Sequence, residues 1–310
     1  MFTEAHALTF ITPLVLRGPL RHPKQMLADQ EYGGHTSIHD DATAEKFGIR
    51  AGPIEGPTHF SLFPPLLAQI WGRTWFERGC LSSHYLNMVV EGEAVRAFAE
   101  IPADSATSTR VWAEKEDGTP VLEASAGIDN SETLLAKRMA ALRPPERLLI
   151  LEDLHVGMKG AADERVRMDP DQHMGALYPF SLNQKLAAIT ETSPWYSDAK
   201  ASPWGRAIIP LEMVSVLAEY SSHHAKFPVK GPAVGLFADQ EIRMIDGPLF
   251  VGETYVIRRE IVALAESRRT ESYWVRSKIY DATGEVLKAE MLLNHATLKD
   301  SYAGYAKADA

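Results

Sequence analysis

Residues Ser37 to Phe60 read S-I-H-D-D-A-T-A-E-K-F-G-I-R-A-G-P-I-E-G-P-T-H-F, and the reading of the whole chain turns on them. His39 is followed by a carboxylate pair and a short amphipathic turn that ends at Phe47-Gly48. Asp41 stands where a helix N-cap belongs, and Gly48 where a left-handed residue stops the helix. The glycine-rich loop Gly52-Pro53-Ile54-Glu55-Gly56-Pro57 then feeds an apolar run, Phe60 to Trp75, suited to a core helix. Pro64-Pro65 requires that this helix either start at the prolines or bend there. The first amides of a helix have no intrahelical partner, so such a loop can aim N–H groups at a developing negative charge.

This arrangement resembles the MaoC-like hydratase segment, H-x-D-x-x-x-A-x-x-x-G followed by P-I and a glycine at a helix start. His39, Asp41, Gly48, Pro53, Ile54 and Gly56 take those places, with the alanine shifted to Ala42 or Ala44. The resemblance implies an α+β double hotdog fold, two antiparallel sheets each wrapped around a central helix. It also implies a hydro-lyase acting on an acyl thioester, without a cofactor. A non-catalytic acyl-CoA-binding hotdog subunit and a hotdog thioesterase stand as alternatives.

Length and composition set the outer bounds. The 310 residues can bury two cores, and 45% hydrophobic with 24% charged residues is the composition of a globular protein. A net charge of -9 argues against a nucleic-acid partner. The one cysteine, Cys80, rules out a disulfide framework and fits a reducing compartment, so a cytoplasmic protein is expected. The apolar stretch Phe10 to Leu16 is too short to span a membrane. The partner expected is a small molecule; a homo-oligomer is left open.

Taken in order, residues 5 to 16 alternate as an opening strand, and Arg17 to Lys24 form a basic turn-rich loop. That loop is either a solvated surface or a cradle for the phosphates of a carrier such as coenzyme A. Strands are expected at Met88–Val90, Val95–Ile101, Thr109–Glu114 and Val121–Ile128, the last two joined by a hairpin at Asp117-Gly118. A helical stretch then runs into a linker at Pro144-Pro145. The second half repeats this plan. Arg206 to Pro210 opens a second apolar helix as Arg50 to Ile54 opens the first. Gly252 answers Gly92, and the turn into Val286 answers the turn into Val121. The offsets are 156 (50 to 206), 160 (92 to 252) and 165 (121 to 286), as short loop insertions would produce. The domain reading is therefore 1–135, a linker 136–149, a second unit 150–298, and a frayed tail 299–310. The free sheet edges of the two units are expected to pair with each other.

For the site, the resemblance supplies a second element, G-D-x-N-P-x-H, whose Asp and His jointly activate water. With His39 on that histidine, Gly34 falls at the acid and Thr36 at the Asn. In the second half Glu191 falls at the acid and Tyr196 replaces the histidine. Neither copy keeps the whole dyad. The expected catalytic residues are His39, Glu55 and Glu191, with Gly52, Gly56 and Tyr196 binding substrate. Desolvation would raise Glu55 towards neutrality while the helix dipole would lower it. A metal is not expected: the four-residue spacings His35/His39 and Glu55/His59 lack the form of a metal motif. His223-His224 are read as caps of a helix end. The first copy is expected to hold the active pocket, because the corresponding loop of the second, Ala207 to Leu211, has lost its glycines.

Overall fold

The computed structural model describes residues 14–31, 37–103 and 106–308, the last three as backbone only. Residues 5–13 of the expected opening strand, and Gly34, His35 and Thr36, lie outside the described residues.

The first half runs β1 (Val15–Arg17), α1 (Asp41–Lys46), a 3-10 helix (Gly56–Leu62), α2 (Pro64–Trp71), α3 (Arg73–Arg78), β2 (Gly79–Tyr85), β3 (Val95–Glu100), β4 (Ser108–Lys115) and β5 (Pro120–Ile128). α4 (Leu134–Ala140) follows. The second half comprises β6 (Glu164–Arg167), α5 (Leu182–Ala188), α6 (Leu211–Glu219), β7 (Gly235–Met244), β8 (Thr254–Glu266), β9 (Thr270–Tyr280) and β10 (Leu287–Leu298). α7 (Ala303–Ala308) ends the described chain.

The ten strands among the described residues form one antiparallel sheet, ordered β1-β3-β4-β5-β2-β7-β10-β9-β8-β6. The order reads as two five-strand units meeting at β2 and β7, with Ser82 opposite Glu241 and His84 opposite Asp239. Small details repeat too. Pro53 bridges Val90 and Ile208 bridges Phe250. Likewise the Ile54 N–H donates to Val89 O (2.7 Å), and the Ile209 N–H to Leu249 O (2.8 Å). This is the double hotdog expected from the sequence.

The two central helices differ. α6 is buried on every side from Glu212 to Glu219, because the 3-10 helix of the first half packs along it inside one shared core. The first-half helix is broken into three pieces. Pro57 sits at the start of the 3-10 turn, Pro64-Pro65 occupy the first positions of α2, and Gly72 turns the chain with φ +58 before α3. The apolar run read as one helix is thus a 3-10 turn and two short helices.

β2 escaped the sequence reading, which after the opening strand placed the next one at Met88–Val90; only Val90 makes a bridge there. In Gly79–Tyr85 both faces are covered, so there is no alternation to see. Ser82 Oγ accepts the Leu135 N–H at the start of α4 (3.0 Å), and Ser83 donates to Gln240 O (3.1 Å). Serines are small enough to let α4 lie against the outer face of the seam, where Leu135 packs with Trp274 and Leu292. The expected linker 136–149 thus begins inside α4. Its end is held by Glu271, whose carboxylate accepts the N–H groups of Leu149, Ile150 and Leu151.

Two local expectations are corrected. The N-cap of α1 is Asp40, which accepts from Thr43 N–H (2.8 Å), and Asp41 is the first helical residue. The segment after Lys299 is not frayed through Tyr305: Tyr302 and Tyr305 pack on the cluster of Ile150, Leu151, Leu154 and Ile261. No helix among the described residues is long and apolar enough to cross a membrane.

Candidate functional site

The loop that opens the first-half core is stitched to the turn carrying His39. Asp41 Oδ1 accepts the Gly52 N–H (2.7 Å), and the His39 imidazole Nδ1 lies 2.7 Å from Pro53 O. A carbonyl only accepts, so Nδ1 carries the proton and Nε2 keeps its lone pair. Burial lowers the His39 pKa against the effect of the Pro53 hydrogen bond, leaving a neutral ring at pH 7.

His39, Pro53, Ile54, Glu55 and Gly56 form one wall of a cavity of about 310 Å³. The opposite wall comes from the other half: Gly235 to Ala238 of β7, Tyr273 of β9, and His295 and Thr297 of β10. The seam between the sheets therefore creates the cavity. Tyr85, at the end of β2, is anchored to β7 through its hydroxyl to Gln240 Oε1 (2.9 Å), and Gln240 bonds Ser215 of α6 (2.7 Å). Its ring packs against Gly56, where a Cβ would come within 2.5 Å. Gly56 begins the 3-10 helix, and its N–H has no hydrogen-bond partner among the described residues.

Glu55 is buried, and its Oε1 accepts a 3.0 Å hydrogen bond from the Tyr178 hydroxyl. Burial pushes the carboxyl up to about 7, against the opposing pull of Lys185 and of the Tyr178 hydrogen bond. Lys185 lies 3.1 Å from Thr58 Oγ1 and 3.4 Å from Glu212 Oε2, under the same 3-10 turn. His59 also lines the cavity. Burial, with Lys185 and Lys115 adding to it, brings its pKa down to about 4, and its Nδ1 is unpartnered among the described residues.

The structure brings together His39, Glu55 and Gly56. It places the other three expected site residues elsewhere. Gly52 does not line the cavity; its N–H is taken by Asp41, and a side chain there would overlap the His39 carbonyl. Glu191 is held by Arg21 through two hydrogen bonds (2.7 and 3.1 Å) and lies outside the cavity wall. Tyr196 is packed with Ile189 and Ile208 and lines a residual gap of about 20 Å³. That gap is lined by Ile208, Ile209 and Leu211 of the second half and by Trp75 and Phe76 of the first. In the basic loop, Arg21 and Lys24 are both engaged by carboxylates, Glu191 and Glu91. Glu55 is the N-cap of the 3-10 helix that contains His59, where a spacing of four does not define one face.

Sequence reasoning missed Tyr178 and Lys185. Tyr178 had no local signal. Lys185 had one: it sits at the third step of the apolar series Leu182, Leu186, Ile189 in a helix begun by the capping box Ser181/Gln184. A lysine on that face has to meet a buried partner.

No family model matches the chain, and no curated protein matches it by sequence. Solved structures do match in fold. One is a Chloroflexus aurantiacus protein provisionally described as a MaoC domain dehydratase (13% identity, TM-score 0.59, covering 93% of this chain and 96% of that one). Another is a conserved hypothetical protein of Mycobacterium tuberculosis described as having a double hotdog fold (11% identity, TM-score 0.54, 93% and 97%). At these identities the likeness establishes the double hotdog architecture.

Proposed function

We propose that the first-half cavity is the active site of a hydro-lyase that adds water to, or removes it from, the carbon–carbon bond beside an acyl thioester carbonyl. One observation carries the reading. A neutral imidazole and a carboxyl poised near pH 7 line the same cavity, next to the Gly56 N–H, and neither the imidazole Nε2 nor that N–H has a hydrogen-bond partner among the described residues.

In the hydration direction the thioester oxygen would accept the Gly56 N–H as it gains enolate character. His39 Nε2 would take a proton from water as the water oxygen bonds to the β-carbon. The protonated Glu55 carboxyl would deliver a proton to the α-carbon, closing the balance: the π bond is lost, and C–O and C–H bonds form. Dehydration is the reverse, with Glu55 ionised and imidazolium donating to the leaving hydroxyl. Glu191 and Tyr196 have no part in this scheme, since Arg21 and the Ile208 cluster hold them elsewhere. The description of the Chloroflexus protein as a dehydratase agrees with the reaction class.

Crotonyl-CoA tests the proposal. Loss of enoyl absorbance without free thiol is the expected result. Release of free thiol would mean a thioesterase, and saturable binding without turnover an acyl-CoA-binding subunit; either outcome overturns the lyase.

A further inference from the structure

An acyl thioester reaches its enzyme on a phosphorylated arm, whether of coenzyme A or of a carrier protein, and a phosphate calls for a cation. Among the described residues that line the first cavity, none is a lysine or an arginine. The basic loop read from the sequence does not supply one. Its Arg21 and Lys24 are taken by Glu191 and Glu91, and neither lines this cavity or the one beside it.

That neighbour is a second cavity of about 320 Å³, and Gln30, Val229, Phe237, Tyr273 and His295 line both. The two differ in chemistry away from this shared wall. The first is lined by Ile54, Val89 and Val121 and ends at Leu86 and Met88, which are 43% and 39% exposed, so its rim is apolar. The rim of the second is polar: Ser222 is half-buried, and His223 and Lys226 are exposed. Lys226 closes the 3-10 turn Ser222–Ala225 and makes no ion pair among the described residues. Burial and the adjacent His224 hold the His223 imidazole below its usual range, so Lys226 carries the charge of this rim. Deeper in, the charge of Arg259 is matched by Glu164 (2.6 Å), with the buried Glu219 on the same wall. An anion is therefore favoured at the rim and not in the depth of the cavity.

We infer that the thioester lies across the seam, with its phosphorylated arm in the second cavity and its acyl chain towards the Leu86–Met88 rim, and that Lys226 holds the phosphate of the arm. Ser222 and His223 would then face the amide groups of the arm. The reverse orientation leaves the phosphate at an apolar rim without a cation and lays the acyl chain against Ser222 and Lys226, which desolvates polar groups for no return. This inference rests on the first cavity holding the thioester carbonyl.

The test is equilibrium binding by calorimetry of the butyryl thioesters of phosphopantetheine and of pantetheine, which differ by the phosphate alone. Both are saturated, so neither addition nor loss of water intervenes. The native protein is expected to bind the phosphorylated ester at least about fivefold more tightly at low ionic strength, the upper end of what an exposed ion pair supplies, and the ratio should fall as salt is added. Lys226 is exposed, so its replacement should leave the fold intact. Lys226→Ala should bring the ratio to about one, Lys226→Arg should keep it, and Lys24→Ala should not change it. A ratio of one in the native protein, or a ratio lost in Lys24→Ala and kept in Lys226→Ala, overturns the inference. The pantetheine thioesters of hexanoic and adipic acids differ by a terminal carboxylate and should bind equally well. A preference for the adipoyl ester that disappears in Lys226→Ala would put the acyl end at this rim, and would also overturn it. Hydration of crotonyl-CoA reads the lyase proposal separately: turnover with a phosphate ratio of one defeats this inference alone, and a Lys226-dependent ratio without turnover defeats the lyase alone.

Discussion

The Tyr178 hydroxyl donates a 3.0 Å hydrogen bond to Glu55 Oε1, joining residues 123 positions apart. The contact belongs to a crossing segment. Between β6 and α6 the chain leaves its own half and lies against the first: the Glu31 N–H donates to Ala176 O, the Gln30 side chain to Leu177 O, and Lys185 to Thr58. The second half thus supplies a wall of the cavity and, through Lys185 and Tyr178, opposes the burial that raises the Glu55 carboxyl.

Removing that hydroxyl gives the first prediction. The Tyr178 hydrogen bond favours the carboxylate, so Tyr178→Phe should raise the Glu55 pKa above its present value of about 7. In the proposed hydration Glu55 acts as an acid, so the alkaline limb of the kcat–pH profile should move to higher pH. Glu55→Gln should lower kcat by about 100-fold or more, the usual scale for a lost acid–base group. A Tyr178→Phe profile that superposes on the native one would remove Glu55 from the chemistry.

Stability gives an independent check. Glu55 titrates near 4.5 when unfolded and near 7 when folded. Between those values the folded state binds more protons, so this group makes the protein less stable as pH rises, by at most about 1.4 kcal/mol per pH unit. Below both values the effect vanishes, and above about 7 it is fully developed. His59 acts oppositely: with a folded pKa near 4, it adds stability as pH rises towards 6.5. The raw stability curve mixes both signs, so the readout is a difference. Glu55→Gln minus native, followed by urea unfolding, should grow steadily from pH 4.5 to 7; a flat difference would mean that Glu55 is not held protonated.

How much of this was legible in the sequence depends on how far each contact reaches. His39 and the glycine loop were readable because the whole unit lies within one short stretch, with Asp41 bonded to Gly52 and His39 to Pro53. The fold was readable because the second half repeats the first, down to the paired bridges at Pro53 and Ile208. β2 was not, since a strand buried on both faces under α4 shows serines where alternation was sought. The surroundings of Glu191 were not legible either, since motif position does not report its partner, which is Arg21.

That capture makes a prediction of its own. Glu191→Gln should leave kcat unchanged and cost no more than about 1 kcal/mol, because Arg21 is substantially exposed and such pairs are worth little. Tyr196→Phe should also leave turnover intact. His39→Ala, in contrast, should lose about 100-fold or more in kcat. It should also lose about 1 kcal/mol of stability with the bond to Pro53. Steady-state kinetics on the three variants check this, and a Glu191→Gln enzyme as impaired as His39→Ala would move the chemistry to the second half.

The seam between the halves should be sensitive at Asp239, which is 1% exposed. Its Oδ1 receives His84 Nδ1 (2.8 Å) and Arg138 Nε (2.9 Å), and its Oδ2 the Asn294 amide (2.7 Å), so β2, α4, β7 and β10 all converge on one carboxylate. Asp239→Ala strands these donors and should cost about 2–4 kcal/mol in chemical unfolding. A loss below about 0.5 kcal/mol, within the range of ordinary surface changes, would show that strand pairing alone holds the seam.

The two loop glycines should fail in different ways. At Gly56 the three atoms nearest an added Cβ all belong to the Tyr85 ring, a side chain whose removal opens space. Gly56→Ala should therefore destabilise by about 1–3 kcal/mol through overpacking, and Tyr85→Leu in the same molecule should recover part of that loss. At Gly52 the added Cβ meets the backbone of His39, which cannot move without breaking the bonds to Asp41 and Pro53. Gly52→Ala should thus be the more damaging change, with no second-site relief from Tyr85→Leu. Thermal melting of the two single and two double variants measures the comparison. If Tyr85→Leu rescues both glycine variants equally, the separation drawn between a wall glycine and a structural glycine is wrong.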